Sequence, residues 1–144
     1  MTPFDLAQRF VGEIRELPGD QHHPFIQFAH MLCGLGSDQP DEVPWCSSFI
    51  NAVCWLLRLP RSKSARARSW LEVGRAIELR DAIPNADIVV LKRGSSATAG
   101  HVGFFAGRDQ MTGTVYVLGG NQSNGVTVAP FKEVDVLGVR RLAA

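Results

Sequence analysis

The sequence lacks the features that mark several large classes of protein. Its 15 basic and 14 acidic residues leave a formal net charge of +1, so no field of one sign predicts binding to nucleic acid or to an anionic membrane. No stretch approaches the roughly 20 apolar residues of a membrane span, which predicts no membrane insertion. The first residues show no basic segment followed by an apolar block, so we expect synthesis in the cytoplasm without a signal peptide.

Cysteine is also scarce, and its spacing argues against both disulfides and zinc. Three cysteines cannot all pair. Cys46 and Cys54 are separated by about 12 Å on one predicted helix, at 1.5 Å per residue, which is beyond the reach of a disulfide. No CxxC or HxxxH spacing supports a metal site, so we expect no metal and no cofactor. Cys33 and Cys54 are predicted to be core residues on helix faces.

The hydrophobic period divides the chain into a helical part and a strand part. From Asp87 onward, short segments rich in Val and Phe alternate with turns, which predicts a mostly antiparallel sheet. Helices followed by strands predict an α+β fold, with the N-terminal helices packed on a C-terminal sheet in one domain, 1–144. Four helices are predicted. The first begins at Thr2 and carries a hydrophobic stripe that extends to Ile14. The others run from Pro24 to Gly34, from Trp45 to Arg58, and from Ser64 to about Val73.

The segment DEVPWCSSFINAVCW places Cys46 at the start of a predicted helix, after a loop that Asp41 and Glu42 are expected to cap. A helix N-terminus carries partial positive charge and free N–H groups. These stabilise a thiolate, which predicts a pKa for Cys46 below the usual value of about 8.5. The same N–H groups stabilise an oxyanion during acyl transfer. The alternative is an inert buried thiol, since cysteine is among the most buried residue types.

A base near the thiol would favour the catalytic interpretation. Of the four histidines, His22 and His23 lie in a polar turn and His30 lies inside a helix. His101 alone begins a predicted strand, in AGHVGFF. A helix-start cysteine followed by a strand-start histidine is the order expected of a cysteine nucleophile with its imidazole base.

The next strand ends in VYVLGGNQSNG, which supplies Asn121 and Gln122. An amide oxygen can accept from one imidazole N–H and hold the tautomer whose other nitrogen faces sulfur. By composition alone, Gly, Asn and Ser favour a plain turn over a catalytic residue. Only the order of the three elements favours a catalytic third residue.

Together these segments resemble a known family. DEVPWCSSFINAV, ARSW, ADIVVLKR, GHVGFF, VLGGNQSNGV and LGVRR are similar to the small NlpC-type and CHAP-type cell-wall hydrolases, especially a phage and prophage subgroup with a Pro-Trp-Cys start to the catalytic helix. The resemblance covers nearly the whole chain. It implies a papain-like α+β fold and hydrolysis of amide bonds in peptidoglycan, within the stem peptide or between sugar and peptide.

The resemblance also implies roles for individual residues. It maps Cys46 as the nucleophile, His101 as the base and Asn121 as the residue that orients the imidazole. CHAP-type enzymes usually carry a glutamate where this chain has Gly119. The orienting role must therefore fall on Asn121 or on Gln122.

Other residues are expected to contact the substrate, the stem peptide of peptidoglycan. These are Trp45, Ser47, Gln122 and Trp70, although for Trp70 a place in the core is favoured over one in the wall of the cleft. The basic segment RLPRSKSARARSW is either a solvated face or a basic lip of the site. We expect a monomer that acts on the cell wall after release or delivery. The alternatives are a catalytically silent wall-binding phage component and an interbacterial amidase effector.

Overall fold

The computed structural model describes residues 1–36, 38–39 and 44–143. The expected loop caps Asp41 and Glu42 lie outside these residues. Within the described part, the α-helices are α1 (Pro3–Gln8), α2 (Pro24–Met31) and α3 (Cys46–Leu56). Short 3₁₀ helices cover Ala67–Glu72, Leu79–Asp81 and Glu133–Asp135. The strands are β1 (Arg75–Ile77), β2 (Asp87–Lys92), β3 (Gly100–Asp109), β4 (Thr114–Gln122), β5 (Gly125–Lys132) and β6 (Val136–Arg141).

The first helix is shorter than its hydrophobic stripe predicts. It begins with a capping box, in which the Asp5 N–H donates to the Thr2 hydroxyl at 3.0 Å and the Thr2 N–H donates to the Asp5 carboxylate at 2.9 Å. The chain then leaves the helix before Gly12, whose φ of +79° a right-handed helix does not accommodate. Ile14 is still buried, and its carbonyl accepts from the Val126 N–H at 3.0 Å beside β5.

The strands form one sheet in the order β1-β6-β2-β3-β4-β5, and every pairing among the described residues is antiparallel. The α+β class and the antiparallel sheet are therefore confirmed, and the five predicted strands are present. β1 was not predicted, because three residues are too few to show a hydrophobic period. The fourth predicted helix is the 3₁₀ helix Ala67–Glu72 rather than an α-helix.

Alternate residues of the strands supply two hydrophobic clusters on opposite faces of the sheet. We call the cluster beneath the helices the helix-side cluster and the other the far-side cluster. The helix-side cluster includes Trp45, Cys46, Phe49, Val102, Phe104 and Leu118. The far-side cluster consists of Val89, Leu91, Phe105, Val115 and Val117, with Phe131 packed against it.

The first turn of α3 approaches β4 at a glycine. A Cβ placed on Gly120 would lie 2.5 Å from Cζ3 of Trp45 and 2.9 Å from Cβ of Phe49. Both aromatic side chains are buried, so neither can move aside. The absence of a side chain at Gly120 therefore fixes how closely the start of α3 packs on the sheet.

We expect Gly120→Ala to destabilise the fold by about 1–3 kcal/mol, because the added methyl overpacks a rigid aromatic contact. Urea unfolding would measure the loss. Gly138→Ala is the matched control, since its new Cβ would meet the flexible end of the Leu71 side chain at 2.9 Å. Equal losses in the two variants would contradict the packing argument.

Candidate functional site

Cys46 is the first residue of α3 and borders a cavity of about 300 Å³. The N-cap residue Trp45 provides no side-chain hydrogen bond to the helix start, so no side-chain cap competes for the N–H groups there. The thiol side chain is mostly enclosed, with Cys46 5% exposed. The cavity is lined by Pro44, Cys46, Ala65, Arg66, Ala67, Arg93, Thr98, Ala99, Gly100 and Asn121.

The thiol is neutral in this structure. Burial raises the pKa of Cys46 above its usual value, and this effect outweighs the backbone N–H of Val102, the Arg93 guanidinium and the N–H groups at the helix start, which all lower it. The prediction of a lowered pKa for Cys46 is therefore wrong for this conformation. The helix terminus acts as expected, but the cost of desolvating a thiolate is larger.

The His101 ring is held through both nitrogens. Its Nδ1 is 3.2 Å from Nη2 of Arg93, and its Nε2 is 2.8 Å from Oε1 of Gln122. A guanidinium can only donate, so Nδ1 is the acceptor and Nε2–H donates to the amide oxygen. Burial lowers the pKa of His101 to about 4; the Gln122 hydrogen bond opposes this shift and the Arg93 charge adds to it.

Gln122, rather than Asn121, holds the imidazole. The register between β4 and β5 shifts between Gly119 and Gln122, and Asn121 has a φ of +58°. This bulge interrupts the alternation of side chains and turns Gln122 back over Gly119, where its Oε1 lies 2.7 Å from the ideal Cβ position. The Gln122 amide donates to the Thr127 carbonyl at 2.8 Å, which fixes its oxygen toward the ring. The predicted register is therefore off by one, and Asn121 borders the cavity instead.

The Cys46 thiol lies beside β3, the strand that carries His101. Among the described residues, no hydrogen bond joins the thiol to the His101 ring. Val102 faces the helix-side cluster, so the His101 side chain leaves β3 toward the far side. There its ring stacks on Phe131, with 5.1 Å between centroids. Arg93 connects the two groups, since it borders the cavity with Cys46 and donates to the His101 ring.

The structure places three residues expected to bind substrate in the interior. Ser47 and Trp70 are both 0% exposed, and Trp45 is 1% exposed. The Ser47 hydroxyl accepts from Nε1 of Trp70 at 2.8 Å and donates to the Ser64 carbonyl at 2.6 Å. These three side chains stabilise the fold behind the cavity and are not in a position to contact a ligand.

A second buried amide supports the same network. Nδ2 of Asn51 donates to the Ser47 carbonyl at 3.0 Å, and its Oδ1 accepts from the Lys63 N–H at 2.8 Å. No sequence pattern predicts this role, because a polar residue within an apolar helix is equally compatible with exposure. Asn51 ties the segment after α3 to the helix.

Arginines of the predicted basic lip have separate uses. Arg61 donates to the Leu32 carbonyl at 2.9 Å, and Arg68 donates to the Ala99 carbonyl at 2.9 Å. Arg66 borders the cavity. Arg93 was not identified as a site residue from the sequence. The register of the β2–β3 hairpin, which pairs Lys92 with Gly100, places it beside His101.

No group of three His, Cys, Asp or Glu side chains in the described ranges is arranged to hold a metal ion. All three cysteines are free thiols. Among the helices described, none has the length and apolar character needed to cross a membrane. No protein-family model matches the sequence, and no curated protein matches it either.

We expect protonation of His101 to destabilise the protein below neutral pH. Its folded pKa of about 4 lies below the unfolded value of 6.5, so the unfolded chain binds more protons between these values and stability falls as the pH falls through this window. The loss approaches about 3 kcal/mol at full protonation. Urea unfolding of the wild type and of His101→Gln between pH 7 and 4.5 would measure it. Identical pH slopes, or a His101 pKa near 6.5 by NMR, would refute the expectation.

Proposed function

We propose that this protein is a cysteine hydrolase with a papain-like fold that cleaves amide bonds of bacterial peptidoglycan. The observation that carries the proposal is the position of Cys46 at the start of α3, open to a cavity and beside the strand that carries His101. Gln122 supports the base by holding the ring with Nδ1 unprotonated. A neutral thiol and a neutral imidazole contain the one proton and the one acceptor that acyl transfer needs.

The reaction would proceed in two steps. Nδ1 of His101 takes the Cys46 proton as sulfur attacks the amide carbonyl carbon, and the N–H groups at the start of α3 stabilise the oxyanion. The imidazolium then protonates the leaving amine, which leaves a thioester. A water molecule gives a proton to the imidazole and attacks the thioester, which releases the acid and restores the thiol.

This chemistry requires a rearrangement from the resting site, because Arg93 occupies the Nδ1 acceptor and the His101 ring stacks on Phe131 at the far side of the sheet from Cys46. Catalytic hydrogen bonds are often long or poorly aligned before substrate binds, so the missing contact between thiol and ring does not by itself exclude the proposal. Burial of both groups keeps them neutral until then.

Peptidoglycan as the substrate rests on the sequence resemblance. The segments around Cys46, His101 and the end of β4 are those that resemble NlpC-type and CHAP-type hydrolases. The Gln122 amide fills the space above Gly119, where CHAP-type enzymes usually carry a glutamate. A different side chain thus supplies an acceptor at the same place. The enzyme would reach the cell wall after release or delivery.

The second candidate is a catalytically silent wall-binding protein on the same fold. The neutral thiol and the occupied Nδ1 of His101 favour it, because neither group is activated in the resting structure. The two candidates differ in whether bonds in the wall are cleaved, so a direct assay separates them.

We expect Cys46→Ala to abolish release of soluble fragments from purified peptidoglycan, because the nucleophile is lost. Mass spectrometry of the digests would measure the release and identify the bond cleaved. Cys33→Ala is the matched control and should retain activity, since Cys33 does not border the cavity. Undiminished cleavage by Cys46→Ala would refute the mechanism. Wall binding without cleavage by the wild type would favour the silent alternative.

We expect Gln122→Met to lower kcat about 10- to 100-fold with little change in KM, because a residue that orients the base acts mainly on the transition state. Asn121→Ala should instead change KM, since Asn121 borders the cavity. Steady-state kinetics on a soluble muropeptide would distinguish the two. Thermal unfolding of both variants controls for the hydrogen bonds that Gln122 makes to β5. A kcat effect confined to Asn121→Ala would reverse the assignment.

A further inference from the structure

Arg93 is the one guanidinium in the described part of the chain that borders the Cys46 cavity and also contacts the candidate base. It follows β2, and its Nε donates to the Gly100 carbonyl at 3.0 Å. Its Nη2 donates to Nδ1 of His101 at 3.2 Å. Its charge lowers the pKa of the Cys46 thiol, and both residues border the same cavity.

The cavity has a strongly cationic lining. Arg66 and Arg93 both border it, and the other described lining residues are small, apolar or neutral. Neither guanidinium forms an ion pair with a carboxylate of a described residue. An arginine fork is well suited to a carboxylate, because its N–H groups match the two oxygens. A carboxylate is therefore the ligand group that this lining is suited to bind.

The hydrogen bond to His101 gives such a ligand a second effect. While Nδ1 accepts from Arg93, its lone pair cannot take the thiol proton. A carboxylate that binds the guanidinium competes for the same N–H donor. A carboxylate carries a full negative charge and offers two oxygens to the guanidinium fork, whereas the neutral imidazole offers one lone pair, so the competition favours the carboxylate.

We propose that Arg93 forms a carboxylate-binding subsite next to Cys46, and that a bound carboxylate draws the guanidinium away from Nδ1 of His101 and frees that nitrogen. The first part concerns ligand binding alone. The second part rests on the proposed function, because it makes a free carboxylate near the scissile amide a requirement for activation of the base. Substrates with a carboxylate at this position are then selected over their amidated or esterified forms.

The first experiment compares alkylation of Cys46 by iodoacetate and by iodoacetamide. These reagents are similar in size and differ in charge. Each rate is divided by the rate for 2-mercaptoethanol in the same buffer, and labelling of Cys46 is followed by peptide mass spectrometry. Iodoacetate should be favoured in the wild type, and Arg93→Gln should lower the normalised ratio about two- to fivefold, the range expected of a partly exposed charge pair. In 1 M NaCl the preference should shrink.

Arg75→Gln is the matched charge control, because Arg75 lies in the edge strand β1, which β6 and β2 separate from β3 and its His101. Its ratio should equal that of the wild type. An unchanged ratio in Arg93→Gln would overturn the proposal. Failure of both reagents to label Cys46 in the wild type would also overturn it, since the subsite must admit a small acid. Neither result depends on hydrolysis.

The second experiment tests the release of His101 by NMR with N-acetylglycine as the probe. Saturating probe should raise the pKa of His101 in the wild type, because the Arg93 charge that lowers it is neutralised and withdrawn. It should leave the pKa unchanged in Arg93→Gln. An unchanged pKa in the wild type would overturn the release step. A positive result in a protein that cleaves no peptidoglycan would support the subsite and reject the hydrolase.

Discussion

The close contact between the first turn of α3 and Gly120 of β4 determines where the rest of the candidate site lies. Trp45 and Phe49 fill the space that a side chain at this position would occupy. The helix start is thereby pressed onto the sheet, which brings the Cys46 thiol to the backbone N–H of Val102. The next residue back along the chain is His101. A small shift of α3 would separate the thiol from the strand that carries the candidate base.

The same tight packing explains the resting electrostatics. Burial disfavours a charged thiolate at Cys46 and a charged imidazole at His101, so both remain neutral. Arg93 donates to the His101 ring and borders the same cavity as Cys46. A neutral pair beside permanent positive charges responds to whatever neutralises those charges, which makes the site sensitive to the chemistry of its ligand.

Sequence reasoning succeeded where a periodic pattern or a terminal signal determines the structure. The start of α3 at Cys46, the strand start before His101 and the antiparallel sheet follow from such patterns. It failed at the end of β4, because a bulge depends on backbone dihedral angles that side-chain alternation does not reveal. As a result, Asn121 was predicted to orient His101, whereas Gln122 occupies that position in the structure.

Burial of polar groups was the other source of error. Ser47 and Trp70, which both carry polar atoms, were expected to contact the substrate. In the structure those atoms satisfy each other, which only the tertiary contact reveals. The raised pKa of Cys46 has the same origin, since the depth of a thiol cannot be read from its place at a helix terminus.

The network around Asn51 has a consequence for how this cavity can diversify. It anchors the segment after α3 through the Lys63 N–H and the Ser64 carbonyl, which are backbone groups. The neighbouring side chains of Ala65 and Arg66 border the cavity and take no part in that anchoring. The residue types at these two positions can therefore change without loss of the fold. Natural variation at these two positions can alter ligand preference while the scaffold and the nucleophile stay constant.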